Sequence, residues 1–441
     1  MDLSVSEIVD SIKGEPLGVD LDVEVKGIST DTRTMFPGEV FFALKGEHYD
    51  GHEFVKEAIA KGAVFCVVER KITGEKEVVV EDTLKSLGDL AHYYREKKDP
   101  RVIGITGTVG KTTTKEFTYN IMKKSFKTLK TEKNYNNLIG LPLTILSVED
   151  EDHLVVEMGS NKKGEIRRLS EISSPDIGVI TEVTPVHTEF LEDVEGVFEE
   201  KASICEFVNE TMVVNGDNAY LNRIEFPHVI KVGMSIDNDH VVEILEEGVD
   251  GSVFRLDGTE FRINVPGRGA VIDAAISVVI GFIEGVPLMG IKEALEETID
   301  VHHRMELVEA CGVTIIDDSY NASPASMRNA IDYLSLKEGL RIAVLGEMLE
   351  LGKLSAQLHL ETGKYLKGKV DHLMAIGRDA LYYLAGYGGG FYAEEIDEAV
   401  RVLLQWIKPG SWILVKGSRK NNLDLLVKKL KERLCSTTST T

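Results

Sequence analysis

Short apolar runs separated by amphipathic stretches make up most of the chain, and the spacing between them changes twice. Up to about residue 98, short strands such as V-F-F-A-L at 40–44 accompany a helical stretch, F-V-K-E-A-I-A-K-G-A, that stops at a glycine suited to a C-cap. The charged run R-E-K-K-D-P at 95–100 reads as a linker. Beyond Pro100 the order becomes V-I-G-I-T, helix, H-L-V-V-E-M, helix, D-I-G-V-I-T, which is the succession of parallel βαβ units with helices on both faces of a sheet. Another set of buried strands starts near Gly312 with V-T-I-I-D-D and continues through R-I-A-V-L-G, H-L-M-A-I-G and W-I-L-V-K-G. The expected fold class is α/β in three domains: a small N-terminal α/β domain at 1–98, a central parallel-sheet domain at 99–305 and a C-terminal Rossmann-like α/β domain at 306–441. The tail S-T-T-S-T-T after Cys435 is expected to fray.

One turn in this pattern carries chemistry of its own. G-T-V-G-K-T-T, from Gly107 through Thr108, Val109, Gly110, Lys111 and Thr112 to Thr113, follows the strand R-V-I-G-I-T and opens an amphipathic segment. A glycine-rich turn between strand and helix aims backbone N–H groups and the positive helix end at phosphate oxygens. Lys111 is then placed for the outer phosphates and the Thr112 hydroxyl for Mg²⁺. The general pattern G-x-x-x-x-G-K-[ST] asks for glycine at position 105, where this chain has Ile105, so the loop is a shorter relative that begins at Gly107. Nucleotide binding follows from these mechanics, with the reaction still open.

Composition narrows the partners. Fifty basic against seventy-three acidic residues leave a formal net charge of -23, which repels nucleic-acid backbones and anionic lipid while a local nest of N–H groups can still hold an anionic nucleotide. Cys66, Cys205, Cys311 and Cys435 are scattered without a C-x-x-C pair, so neither a disulfide framework nor a thiolate metal site is expected, and the compartment reads as reducing. The acidic N-terminus lacks a signal-like n-region, and no uncharged apolar run is long enough to span a bilayer. The expectation is a cytoplasmic protein, monomeric, without membrane insertion.

Acids at strand ends supply candidate metal ligands. H-L-V-V-E-M ends in Glu157, and D-I-G-V-I-T leads into a loop with His187. Ligands of open parallel sheets collect at the carboxyl ends of strands, which draws both residues towards the phosphate loop. Magnesium takes hard oxygen ligands and suits Glu157. Lys201, in F-E-E-K-A-S-I, reads by itself as a lysine on a solvated helix face.

Several segments together resemble the Mur ligases over nearly the whole chain. They are I-S-T-D-T-R at 28–33 with P-G-E-V-F-F-A-L-K-G-E, T-G-T-V-G-K-T-T-T-K, N-Y-N-N-L-I-G-L-P-L-T at 134–144, E-M-G-S-N-K-K-G-E-I at 157–166, D-D-S-Y-N-A-S-P-A-S-M at 317–327, L-G-E-M-L-E-L-G at 345–352 and V-K-G-S-R at 415–419. The resemblance implies an ATP-dependent amide ligase of peptidoglycan precursor synthesis that joins D-alanyl-D-alanine to UDP-N-acetylmuramoyl-tripeptide through an acyl phosphate. It implies that Ser29, Asp31 and Arg33 hold the uridine nucleotide, and that Asn136 and Asn137 line the channel to the phosphate. Thr112 and Glu157 would hold one Mg²⁺. Glu157, His187 and a CO₂-derived carbamate on Lys201 would hold a second, with Lys111, Glu157, His187 and Lys201 as the catalytic set. Arg304, Asp318 and Asn321 would reach the ATP from the third domain, which is expected to close over the second and exclude water.

One segment departs from the family pattern. From Pro266 the chain runs P-G-R-G-A-V-I-D-A-A, so Gly269, Ala270 and Asp273 stand where the family usually has imidazole and amide groups at the base, and the expectation is an adenine site either loosened or rebuilt, with Asp273 a candidate for the rebuilt contact. Other readings remain: a sister ligase adding a single amino acid, including the folylpolyglutamate type, a phosphate-loop ATPase, or a sensor without turnover. The third residue of the acceptor peptide is not legible.

Overall fold

The computed structural model describes residues 1–46, 49–184, 193–248, 251–299 and 305–437. Three sheets organise it. Strands β1 (Glu15–Leu17), β2 (Gly27–Ser29), β3 (Glu39–Phe42), β4 (Cys66–Val68) and β5 (Glu77–Val79) form the first in the order β1-β5-β4-β3-β2, with β1 antiparallel at the edge. The second holds β6 (Arg101–Thr106), β7 (Thr128–Lys130), β8 (His153–Glu157), β9 (Ile177–Ile180), β10 (Thr211–Asn215), β11 (Val229–Gly233), β12 (His240–Glu247), β13 (Ser252–Leu256) and β14 (Thr259–Ile263). Their order is β14-β13-β12-β11-β10-β9-β6-β8-β7, parallel except for the antiparallel β12-β13-β14 end. The third comprises β15 (Glu306–Ala310), β16 (Val313–Asp318), β17 (Arg341–Gly346), β18 (His372–Ile376), β19 (Phe391–Ala393) and β20 (Trp412–Lys416), ordered β15-β16-β20-β17-β18-β19.

The apolar runs read from the sequence are the central strands. β8 is buried at every position, as a strand covered by helices on both faces must be. The helices that matter for the site are α1 (Thr83–Lys98), α2 (Lys111–Met122), α3 (Glu165–Ser173), α4 (Val194–Ala202), α5 (Arg268–Ile283), α6 (Pro324–Ser335) and α7 (Leu423–Thr437). Helices α2 and α5 share one apolar core with β6, β8 and β9 through Phe117, Ile121, Ile276 and Ile280. The opposite face of that sheet joins α1 and α3, through Leu87, Leu90, Leu169 and Ile172, to the core of the first sheet.

Three expectations are corrected. The run R-E-K-K-D-P is not a linker: α1 continues through Lys98, and Asp99 ends it in a left-handed conformation. Arg95 within it is buried, donating to the carbonyls of Ser173 (3.0 Å) and Ser174 (2.9 Å), so the charge that made the run look solvated instead caps the end of α3. The central sheet is not wholly parallel, because a three-stranded meander extends one edge. Cysteine spacing gave no sign of a crosslink, yet Cys311 and Cys435 form a disulfide with Cα atoms 5.6 Å apart across 124 residues of sequence. It fastens the end of α7 beside the β15–β16 turn; residues 438–441 of the tail expected to fray lie outside the described residues.

Cys66 and Cys205 carry free thiols. Thiol titration of the denatured, unreduced protein should therefore find half the number found after reduction. Cys435→Ser should lower unfolding stability by about 2–5 kcal/mol, because the unfolded chain regains a long loop; unchanged thermal unfolding would count against the crosslink.

Candidate active site

The site starts where β6 meets α2. Ile105, at the position where the longer loop pattern has glycine, is a fully buried strand residue, so the strand runs through Thr106 and the turn opens at Gly107. Gly107 has φ 144° and passes so close to β9 that a β-carbon on it would stand 2.1 Å from Thr181 Oγ1. Gly110, the N-cap of α2, has φ 88°, and a β-carbon there would lie 2.4 Å from Asp273 Oδ1. Both positions exclude other residues. Thr108 donates from its backbone to Glu182 O (2.9 Å), and Thr181 Oγ1 donates to Val109 O (2.5 Å), which fixes the loop against the end of β9. Lys111 Nζ curls over the loop and donates to Gly107 O (2.8 Å) and Thr108 O (3.4 Å).

Around the loop the strand-end acid is held from both sides. Thr112 Oγ1 donates to Glu157 Oε2 at 2.8 Å, and Asn136 Nδ2 donates to Glu157 Oε1 at 2.8 Å. Glu157 is 2% exposed, a burial that a carboxylate tolerates when its oxygens are bonded. Asn137 does different work, since its Oδ1 accepts from the backbones of Ile139 and Gly140 and shapes the turn ahead of the next helix. Thr113 follows in the first turn of α2.

Lys201 overturns its solvated-face reading, because the helix face that carries it points inward. It is 2% exposed, and its Nζ donates to Ser160 Oγ at 2.8 Å. Its neighbour Glu200 accepts from the backbone N–H groups of Gly164 (2.6 Å) and Ile166 (2.8 Å), clamping α4 onto the start of α3. Burial, and secondly repulsion from Lys111, push the Lys201 amine down to about 7.

The remaining expected residues fall in separate places. Ser29 ends β2, and Asp31 and Arg33 lie in the turn that follows, in which Arg33 Nη2 bonds Asp31 Oδ2 at 2.6 Å; that hydrogen bond holds the Asp31 carboxyl down at about 2. Asp318 ends β16 and Asn321 follows it, where Lys416 Nζ donates to Asp318 Oδ2 (2.6 Å) and Asn321 O (2.9 Å). Gly269 faces this third unit, since a β-carbon on it would stand 3.2 Å from Asn329 Nδ2 on α6. His187 and Arg304 lie outside the described residues. Among the described residues no three His, Cys, Asp or Glu side chains cluster as a metal cage.

Sequence reasoning passed over Lys416, Ser160 and Glu182. Lys416 left a signal, a lone cation ending the apolar strand W-I-L-V-K, and it stands directly opposite Asp318 in the parallel register. Glu182 left none: burial raises its carboxyl, which is bonded by Asn218 and, at 3.1 Å, by Asn215 behind the phosphate loop.

A corner that gathers N–H donors, an ammonium and a hydroxyl–carboxylate pair suits a triphosphate with its metal, which puts the protein among phosphate-loop nucleotide enzymes. Residues 24–95 match the Mur ligase family catalytic domain, 105–281 the Mur ligase middle domain and 303–419 the Mur ligase glutamate ligase domain. The chain is 33% identical over 97% of its length to the UDP-N-acetylmuramoyl-tripeptide--D-alanyl-D-alanine ligase of Bacillus subtilis, covering 98% of that protein. It is 30% identical to the ligase of that name from Escherichia coli, covering 98% of each. Among solved structures, MurF from Acinetobacter baumannii superimposes with a TM-score of 0.91 at 30% identity over 97% of this chain and 98% of that one. MurF ligase from Thermotoga maritima, in complex with ADP, gives 0.86 at 28% identity over 94% and 99%. The chain belongs to the Mur ligase family.

Lys201 sits where a neutral side chain would be cheaper to bury. Lys201→Met should raise the melting temperature at pH 6, where the native ammonium is charged in its buried seat, and the difference should shrink as pH rises past the lowered value of about 7. The sign follows from proton counts: between pH 7 and the ordinary lysine range the unfolded chain binds more protons, so wild-type stability climbs with pH there. A melting temperature lowered by the substitution at pH 6 would contradict the burial described.

Proposed function

We propose that this chain joins D-alanyl-D-alanine to UDP-N-acetylmuramoyl-tripeptide at the expense of ATP, in the cytoplasmic stage of peptidoglycan precursor synthesis. The observation that carries the reading is the Thr112–Glu157 contact at the mouth of the phosphate loop, in a chain that matches ligases of that activity end to end. Residues 1–98 hold the uridine end through Ser29, Asp31 and Arg33, residues 99–305 hold ATP, and residues 306–441 close over it. Arg33 supports the first assignment, because its side chain is 86% exposed and bonded within its own turn, leaving donors for a ligand.

The chemistry divides into two displacements. The N–H groups of the Gly107–Gly110 turn and Lys111 bind the phosphates and hold the outermost one in line with the terminal carboxylate of the tripeptide. A carboxylate oxygen bonds to the γ-phosphorus while the bond from that phosphorus to the bridging oxygen breaks, which releases ADP and leaves an acyl phosphate. The amine of D-alanyl-D-alanine then bonds to the acyl carbon, the carbon–oxygen bond to phosphate breaks, and the amine proton is lost. Lys111 offsets the negative charge that gathers on the transferred group. Asn136 keeps Glu157 oriented, and Asp273, packed on Gly110, borders the nucleotide in place of the usual amide. Asp318 and Asn321, with Arg304, reach the nucleotide from the third unit as it closes.

The residues present fit magnesium: the Thr112 hydroxyl and a Glu157 oxygen stand 2.8 Å apart in a buried, oxygen-lined corner. Mg²⁺, when bound, draws charge from the phosphate oxygens. A second ion fits only if Lys201 is altered, since an ammonium repels a cation while a carbamate offers it oxygen. The lowered amine supports that alteration, because CO₂ adds to the neutral form: the nitrogen bonds the carbon, one proton leaves, and an anionic carbamate results. Glu157 and His187 complete that set.

Incubation with ATP, Mg²⁺, UDP-tripeptide and D-alanyl-D-alanine should give a product heavier than the UDP-tripeptide by one dipeptide less water, read by mass spectrometry. Phosphate release without that product would favour a bare ATPase. Carbon-13 bicarbonate should yield a carbamate resonance that grows as pH rises through about 7, the direction set by the lowered Lys201 amine. Lys201→Ala should lose at least about a hundredfold in activity, with part restored by short carboxylates; an active variant, or no restoration, would remove the carbamate assignment.

A further inference from the structure

We propose that Lys115 is a positioning residue that sets the spacing between Thr112 and Glu157, and through it the affinity for the metal. It rests on the reading of those two residues as the metal pair. Lys115 lies on α2 one turn beyond Lys111 and three residues beyond Thr112, and followed by Glu116 it has the sequence signature of a surface helix pair. In the structure it is 1% exposed. Its Nζ donates to the carbonyl of Thr131 at 2.9 Å and pairs with Glu116 Oε1 at 3.0 Å, and Glu116 in turn pairs with Lys130 at 2.6 Å.

Thr131 is the reason this matters. It follows the short edge strand β7 and is fully buried. Its N–H bonds Val155 O at 3.0 Å, and its Oγ1 accepts from the backbone N–H of Glu157 at 3.0 Å. The backbone of the metal acid therefore hangs on a threonine hydroxyl, and the carbonyl of that threonine hangs on Lys115. One ammonium ties the helix bearing Thr112 to the residue after the edge strand that holds the backbone of Glu157.

Stability alone is a weak reason for such an arrangement. Desolvating an ammonium and a carboxylate costs about what their attraction returns, and a length-matched apolar side chain often serves as well. What a charge adds is a fixed direction and distance. Partners behind a metal ligand act in this way: they orient the ligand, and their loss weakens metal binding without touching the ion.

The test is Mn²⁺ binding to the full chain with ADP, followed by the paramagnetic signal of the free ion. Lys115→Met should weaken Mn²⁺ binding about tenfold while leaving metal-free ADP binding unchanged. Thr131→Val, which keeps shape and deletes only the hydroxyl link, should shift it in the same direction even if Lys115→Met folds poorly. Glu157→Gln is the reference. If it weakens Mn²⁺ binding and both other variants bind Mn²⁺ as the parent does, Lys115 merely holds the fold and the proposal is overturned while the metal reading stands. If Glu157→Gln itself changes nothing, the metal pair is misread and the proposal falls with it. A lowered melting temperature with an unshifted Mn²⁺ constant in Lys115→Met and Thr131→Val likewise overturns it.

Discussion

A carboxylate buried at the end of a parallel strand has to be bonded on every side, and Glu157 shows how much of a protein that requirement organises. Its oxygens take a hydroxyl from α2 and an amide from the turn after β7, and its backbone N–H takes a hydroxyl from Thr131. Each donor comes from a different segment, so the acid stays ordered only while the phosphate loop, the edge of the sheet and the following turn keep their mutual positions. The two glycines that allow the loop to crowd β9 and Asp273 serve that constraint. So does the apolar packing of α2 and α5 on the sheet.

The cations of the site show three environments for one side-chain type. Lys111 lies over carbonyls of its own loop. Lys115 is buried beside a carboxylate and is used for placement. Lys201 is buried and donates to the Ser160 hydroxyl, and burial lowers its amine. Lys416 repeats the second pattern in the third unit, where it pairs with Asp318 across adjacent strands and holds the chain at Asn321. The turn that follows β16 is thereby tied to the end of β20.

Read from order and period, the α/β class, the three units and the principal strands of the second and third sheets were legible, since runs such as H-L-V-V-E and R-I-A-V-L-G need no knowledge of their neighbours to look buried. The phosphate loop was legible for a related reason: its glycines, lysine and threonine are contiguous, and the strand and helix that flank it announce themselves locally. Beyond the loop, Glu157 and His187 were read from strand ends, and the other candidate residues only through resemblance. The C-terminal end of α1, read as a linker from its charges, is helical because Arg95 finds the carbonyls at the end of α3, a partner no local pattern reveals.

What the amino-acid order determined by itself is therefore whatever depends on neighbours along the chain: periodicity, caps, the phosphate turn, and the displaced first glycine that Ile105 signals. The tertiary structure alone decided which charges are buried. Lys115 and Lys201 each look like surface lysines, and only packing against α3, β7 and β8 removes them from water. The same holds for the bond between Cys311 and Cys435, whose partners are 124 residues apart. Burial and pairing across such distances depend on the way sheets and helices close on one another, and a linear order of residues carries that information only jointly, in the fold as a whole.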